Sequence, residues 1–222
     1  MFRELLETPG VEEICELRGA MGLMAFHGGN LERTTDAIAM EVAERTNSSV
    51  YAVLQSYPLR RHLPSIAFRP EESKALESFL DHVDQVIAIH GYGRESSWWH
   101  LLLGGRNRSL AHHVADHLRA GLPEPFQVVD DLAAIPRELR GQHRHNPVNL
   151  PRGGGVQIEL PPTVRWNRDH RNWSDHRGTP RAPQVDRLIE SLVCAIEAWP
   201  KPGHPADSNS GGSASHRKGS SD

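Results

Sequence analysis

Two apolar, strand-length runs of this chain each end in histidine followed by glycine. They are Gly22-Leu23-Met24-Ala25-Phe26-His27-Gly28-Gly29 and Val86-Ile87-Ala88-Ile89-His90-Gly91-Tyr92-Gly93. In an open α/β sheet, ligands and reactive groups gather at the carboxyl ends of strands, where a side chain leaves the packed layer but is still held by it. His27 and His90 are therefore candidates for one shared site.

The rest of the chain supports such a sheet. Strand-like runs at Gly22 to Phe26, Ser49 to Leu54, Val86 to Ile89, Phe126 to Val129 and Val156 to Leu160 alternate with helical patterns. Apolar residues recur at helical spacing over Arg33 to Thr46, Glu72 to Val83, Asn107 to Ala120 and Pro183 to Trp199. This alternation predicts an α/β fold: a single domain over 1–200 with a central mixed, largely parallel sheet flanked by helices. From 201 to 222 the chain is Gly, Ser, Pro and charge with almost nothing to bury, and it is expected to be a disordered tail.

Composition excludes several roles. A formal net charge of −3 over 222 residues gives no electrostatic reason to expect a nucleic acid or an anionic membrane as partner. No stretch approaches the ~20 apolar residues that span a bilayer. The acidic start Met1-Phe2-Arg3-Glu4-Leu5-Leu6-Glu7 does not resemble a secretory signal, so a cytoplasmic location is expected. Cys15 and Cys194, far apart and in segments that read as helical, are expected to be buried free thiols and not a disulfide.

Glu32 sharpens the pairing of the two histidines. It follows His27 across a glycine turn, at the expected start of a helix, where its carboxylate can fold back to the strand end. Two imidazoles and a carboxylate suit zinc and leave a position for water, as a catalytic site requires. Glu159, near the end of Gly155-Val156-Gln157-Ile158-Glu159-Leu160, can move the proton as a general base. A lone strand-end histidine is usually a hydrogen-bonded structural group, and Glu159 could be a solvated strand-end carboxylate, although its Gly-rich entry and buried-looking strand favour catalysis; it is the combination that points to a metal. His113 and His117 also have i, i+4 ligand spacing, but no acid stands between them, and a solvated helix face accounts for them. Trp98-Trp99, close behind the second histidine loop, is expected either to wall the pocket or to pack in the core. The polar, aromatic stretch from Pro161 to Pro183 reads as a functional rim or as a surface feature packed by its two tryptophans.

An ordered set of segments resembles the poly-γ-glutamate hydrolase family. The segments are Phe26-His27-Gly28-Gly29-Asn30-Leu31-Glu32, Arg61-His62-Leu63-Pro64-Ser65 with Phe68, Ile89-His90-Gly91, Gly104-Gly105-Arg106-Asn107, Asn146-Pro147-Val148-Asn149, and Gly154 to Leu160. The resemblance implies a zinc-dependent amidohydrolase with a zinc carboxypeptidase-like fold. His27, Glu32 and His90 would be the metal ligands, and Glu159 the general base. The implied substrate is a small or polymeric γ-glutamyl amide, whose free carboxylates call for arginine. Arg106 and Arg165 are the candidates for that task, with Asn149 as an amide donor and His62 orienting the substrate. The chain departs from the family pattern at Arg33-Thr34-Thr35 and at His62-Leu63-Pro64-Ser65. Two other functions fit the same residues: a zinc deacylase or amidase for small N-acyl amino acids, and a non-catalytic protein that captures a carboxylate at a metal.

Overall fold

A computed structural model describes residues 1–200; the tail expected over 201–222 lies outside the described residues. The framework is a seven-stranded sheet in the order β1-β3-β2-β4-β7-β5-β6. Its strands are β1 (Val11–Glu16), β2 (Gly19–Gly29), β3 (Ser48–Gln55), β4 (Gln85–Gly91), β5 (His100–Leu103), β6 (Gln127–Val129) and β7 (Gly155–Leu160). The central strands β3, β2, β4 and β7 run parallel, β1 is antiparallel to β3, and β5 is antiparallel to β7 but parallel to β6. The sheet is thus mixed and mostly parallel, as the alternation of elements predicts.

Helices cover both faces because the strands are apolar on both. On one face α2 (Thr35–Thr46), α4 (Arg108–Gly121) and α6 (Pro183–Ala198) pack over Leu23, Ala25, Ile87, Ile89, Val156 and Ile158. On the other, α1 (Phe2–Leu6) and α3 (Lys74–His82) cover Met24, Phe26, Tyr51, Val53, Val86 and Ala88. Each fully buried Leu or Phe in these layers contributes about 1.5–3 kcal/mol over an exposed one. Two of the helices start where the sequence supplies a cap: Ser73 accepts from the Leu76 N–H, and Asn107 from the Leu110 N–H.

The structure corrects one expectation and decides between the alternatives of two others. Cys15 lies on β1 and not on a helix, half-buried, and Cys194 is exposed on α6; both are free. Trp98 is exposed, and Trp99 packs edge-on against Phe126 with ring centroids 5.4 Å apart, so neither tryptophan walls the strand-end cleft. The stretch 161–183 forms the short helix α5 (Pro162–Arg165) and a two-stranded hairpin of β8 (Trp166–Asn167) and β9 (Asn172–Trp173). Trp166 and Trp173 meet edge to face at 5.3 Å, and none of this stretch lines the cleft. Among the described residues no helix is long and apolar enough to cross a membrane.

Candidate metal centre

His27 and His90 meet because β2 and β4 are parallel neighbours whose carboxyl ends lie side by side. Strict alternation would turn their side chains to opposite faces, since Leu23 and Ala25 face one layer while Val86 and Ala88 face the other. A bulge resolves the conflict. Ala25 pairs with Ala52 and Gly28 with Leu54, so β2 carries one extra residue here, and a bulge re-aims the side chain it carries. The two imidazole centroids are 5.2 Å apart.

Glu32 reaches them through a tight turn. Its N–H donates to the His27 carbonyl at 2.7 Å, and the Asn30 N–H donates to Gln55 O at 2.7 Å. Gly29 makes this path possible. Its φ is +68°, and a Cβ there would lie 2.5 Å from the Gln55 carbonyl oxygen. The turn also delays the helix, which starts at Thr35 and not at Arg33. The Glu32 carboxylate then spans both rings. Oε1 is 2.8 Å from His27 Nδ1, and Oε2 is 3.5 Å from His90 Nδ1 while accepting the Gly91 N–H at 2.8 Å.

Burial opposes ionisation of Glu32, but the charge and hydrogen bonds of the two imidazoles outweigh it and hold the carboxyl well below the usual range. His90 is buried too; the hydrogen bond and charge of Glu32, with the charge of Glu159, overcome that burial and raise its pKa. His62 sits nearer the cleft mouth, its ring centroid 4.7 Å from that of His27; burial and the charge of His27 lower its pKa.

This arrangement fits a cation. The Leu63 carbonyl, 2.8 Å from His27 Nε2, can only accept, so Nε2 carries a proton. In the neutral ring Nδ1 then aims a lone pair at an ionised carboxylate 2.8 Å away, a contact that needs a proton or a metal ion between the two atoms. A backbone carbonyl behind the second nitrogen is also the support that metal-bound histidines commonly have. Ligand atoms of His27, Glu32 and His62 all lie within 4.8 Å of one another. Sequence reasoning gave His62 to the substrate; the geometry puts it in a group able to hold a metal.

Glu159 is the register partner of His90 across β4 and β7. It is 5% exposed, and burial raises its pKa, with the charge of His90 pulling the other way and that of Glu32 adding to the rise. His27, Glu32, His62, His90 and Glu159 all line one cleft of about 1000 Å³ at the carboxyl end of the sheet. Loops from either side of the sheet complete its walls with Arg60, Arg137, Arg140 and His143.

The remaining sequence candidates are not on the cleft surface. Arg106 is exposed before α4, its N–H donating to Asn149 Oδ1 at 2.9 Å. The Asn149 amide donates to the carbonyls of Gly141 and His143, which ties down the loop. Arg165 is 4% exposed; it packs against Gly91, donates to Arg33 O at 3.0 Å and lies 4.9 Å over the Trp173 ring. Burial lowers its pKa to about 10 despite the nearby Glu32 and Glu159. Together with the Thr34 hydroxyl, which donates to Ser174 O, this contact braces the Glu32 turn from behind. The arginines that do reach the cleft come from loops whose placement only the tertiary fold decides.

The α/β sheet thus carries, at its carboxyl edge, a histidine–glutamate–histidine group able to hold a metal ion. The chain belongs to the poly-gamma-glutamate hydrolase family, whose model matches residues 6–182. It is 28% identical to the Bacillus subtilis (strain 168) protein YndL over 141 residues, which is 62% of this chain and 52% of YndL, so the match spans about half the length of that curated relative. Among solved structures, a bacteriophage poly-gamma-glutamate hydrolase superposes with a TM-score of 0.71 at 21% identity, over 85% of this chain and 88% of the other. A zinc-free structure of YndL gives 0.70 at 20% identity, over 85% and 90%. These superpositions support the fold that the sequence predicts.

Proposed function

We propose that this protein hydrolyses γ-glutamyl amide bonds, with zinc held by His27, Glu32 and His90 and with Glu159 as the general base. The observation that carries this reading is the single ionised carboxylate of Glu32 facing the Nδ1 atoms of two buried imidazoles. Zinc is the metal that this donor set suits, and the similar YndL structure is described as zinc-free apo protein. When bound, zinc supplies Lewis acidity to a carbonyl oxygen and makes water a stronger acid.

The chain's own residues do the rest. Glu159, one oxygen held by Gln157, takes a proton from water on its other oxygen and passes it to the departing amine. His62, exposed at the mouth, contacts the scissile region. Arg60, Arg137 and Arg140 replace Arg106 and Arg165 as partners for substrate carboxylates, because they line the cleft and the other two do not. Among the described residues the one acid on the cleft rim, Glu138, is paired with Arg94, which leaves the walls cationic. A linear substrate bearing a carboxylate on every residue suits such walls.

Glu159→Gln tests the reading directly. Poly-γ-glutamate hydrolysis should fall by roughly 10²–10⁴-fold, the usual share of a general base, while zinc content stays stoichiometric. Full activity in this variant would reject Glu159 as the base. Turnover of short N-acyl amino acids with none of the polymer would move the substrate assignment to a small-molecule amidase.

A further inference from the structure

Two buried amides, Asn146 and Gln157, stand beside Glu159 in the cleft wall, and neither exchanges a proton with the substrate. Asn146 opens the turn Pro147–Asn149, and its Oδ1 accepts the Val148 backbone N–H at 3.3 Å. A backbone N–H can only donate, so this contact settles which end of the Asn146 amide is oxygen. Nδ2 is then the end that donates to Gln157 Oε1 at 2.8 Å. With its oxygen committed, Gln157 must turn Nε2 toward Glu159, and it donates to Oε1 at 2.8 Å. Asn146, Gln157 and Glu159 line the cleft but are only 3%, 4% and 5% exposed, so little of this chain of amides is open to water.

The packing leaves Gln157 little alternative. Gln157 and Glu159 are two residues apart on β7, on the face opposite Val156, Ile158 and Leu160, which pack into the helical layer. Gly141, at φ +61°, lies directly over the Gln157 side chain: a Cβ there would be 2.7 Å from Oε1. The loop that carries the cleft arginine Arg140 thus clamps the amide in place.

We propose that Asn146 and Gln157 are positioning residues for Glu159: a directional pair of amides, anchored on the Val148 N–H, that holds Glu159 Oε1 as an acceptor and leaves Oε2 to the cleft. The inference rests on the reading of Glu159 as the base. With an acceptor in place of Asn146 Nδ2, the Gln157 amide reverses to donate to it and sets its own oxygen against Glu159 Oε1. Two acceptors then face each other in a buried space, and the carboxylate must rotate away.

Asn146→Asp keeps the size and the Val148 contact but removes the donor to Gln157. Gln157→Met keeps most of the volume and removes both hydrogen bonds. Each should be assayed as zinc-loaded full-length protein on poly-γ-glutamate beside Glu159→Gln, with thermal midpoints to confirm folding. Both variants should lower kcat by about tenfold or more, a part of the 10²–10⁴ that a general base contributes, with KM within about twofold. In NMR spectra the Gln157 side-chain amide protons should exchange slowly in the native protein and faster in Asn146→Asp. Undiminished kcat in both variants, with Glu159→Gln inactive, overturns the positioning role and leaves the function standing. An active Glu159→Gln overturns the function and the positioning role with it. If one variant does not fold, the other carries the same test.

Discussion

His27 and His90 converge on one carboxylate, whereas two histidines of α4, His112 and His113, are tied to different partners. His112 Nδ1 lies 2.6 Å from Asp130, and His113 Nε2 lies 2.8 Å from the Ala195 carbonyl. His113 and His117 lie tilted to each other with centroids 4.8 Å apart, closer than His27 and His90, and have the spacing that a metal would accept. What separates the groups is the acid. At the strand ends a buried carboxylate stands between two rings and holds them on charge; on the helix the partners lie on separate sides. Proximity of imidazoles is a weak signal, and a shared, desolvated counter-charge is a strong one.

Removing that counter-charge should have the largest effect. Glu32→Ala is expected to abolish both zinc binding and hydrolysis, whereas the double change His113→Ala, His117→Ala leaves zinc stoichiometry intact by elemental analysis. Equal metal loss in both proteins would erase the distinction between the two groups.

The next effect separates His90 from His62. His90→Ala should weaken zinc by more than the roughly 10–100-fold typical of changes outside the ligand shell, and His62→Ala should retain zinc while losing about tenfold in rate. The opposite order in a chelator competition would transfer the third ligand to His62. For the cleft walls, Arg137→Ala or Arg140→Ala is expected to raise KM for poly-γ-glutamate about tenfold each, as loss of a charge-assisted hydrogen bond implies, with kcat little changed. An unchanged KM would remove these arginines from substrate binding.

The strand-end group should also leave a mark on acid stability. The imidazoles depress the Glu32 carboxyl in the folded protein, so its contribution is fully present above the ordinary value of 4.5 and is lost as pH falls below it. Thermal midpoints of the metal-free protein should therefore drop on the acid side, with a shallower slope in Glu32→Gln. The smallest effect belongs to the helix: His113→Ala forfeits one carbonyl contact, about 0.5–1.5 kcal/mol.

The sequence made the parallel centre of the sheet legible because β2, β3, β4 and β7 are apolar runs with clear ends. It concealed β1, whose Val11-Glu12-Glu13-Ile14-Cys15-Glu16 carries three acids, since an edge strand with one neighbour can expose them. β5 spans only His100–Leu103 and follows two tryptophans, which leaves too few residues for a period to emerge. In the site, His27, Glu32, His90 and Glu159 could be named because each sits at a strand end or in the turn after it. Arg60 and Arg140 stand out in the sequence only as parts of basic loop clusters, and Arg137 not at all, because loop residues acquire neighbours only when the sheet brings distant segments together. The Gln157–Glu159 spacing did hold a usable signal: residues two apart on a strand share a face, and a polar pair on a strand otherwise buried in apolar residues calls for a polar purpose.

Zinc-edge anomalous diffraction from crystals of the zinc-loaded protein tests the central claim most directly. One strong peak is expected, bounded by His27 Nδ1, the Glu32 carboxylate and His90 Nδ1, with Glu159 facing it from β7. A strong peak at His113 and His117 with none at the strand ends, or no bound zinc at all, would contradict it.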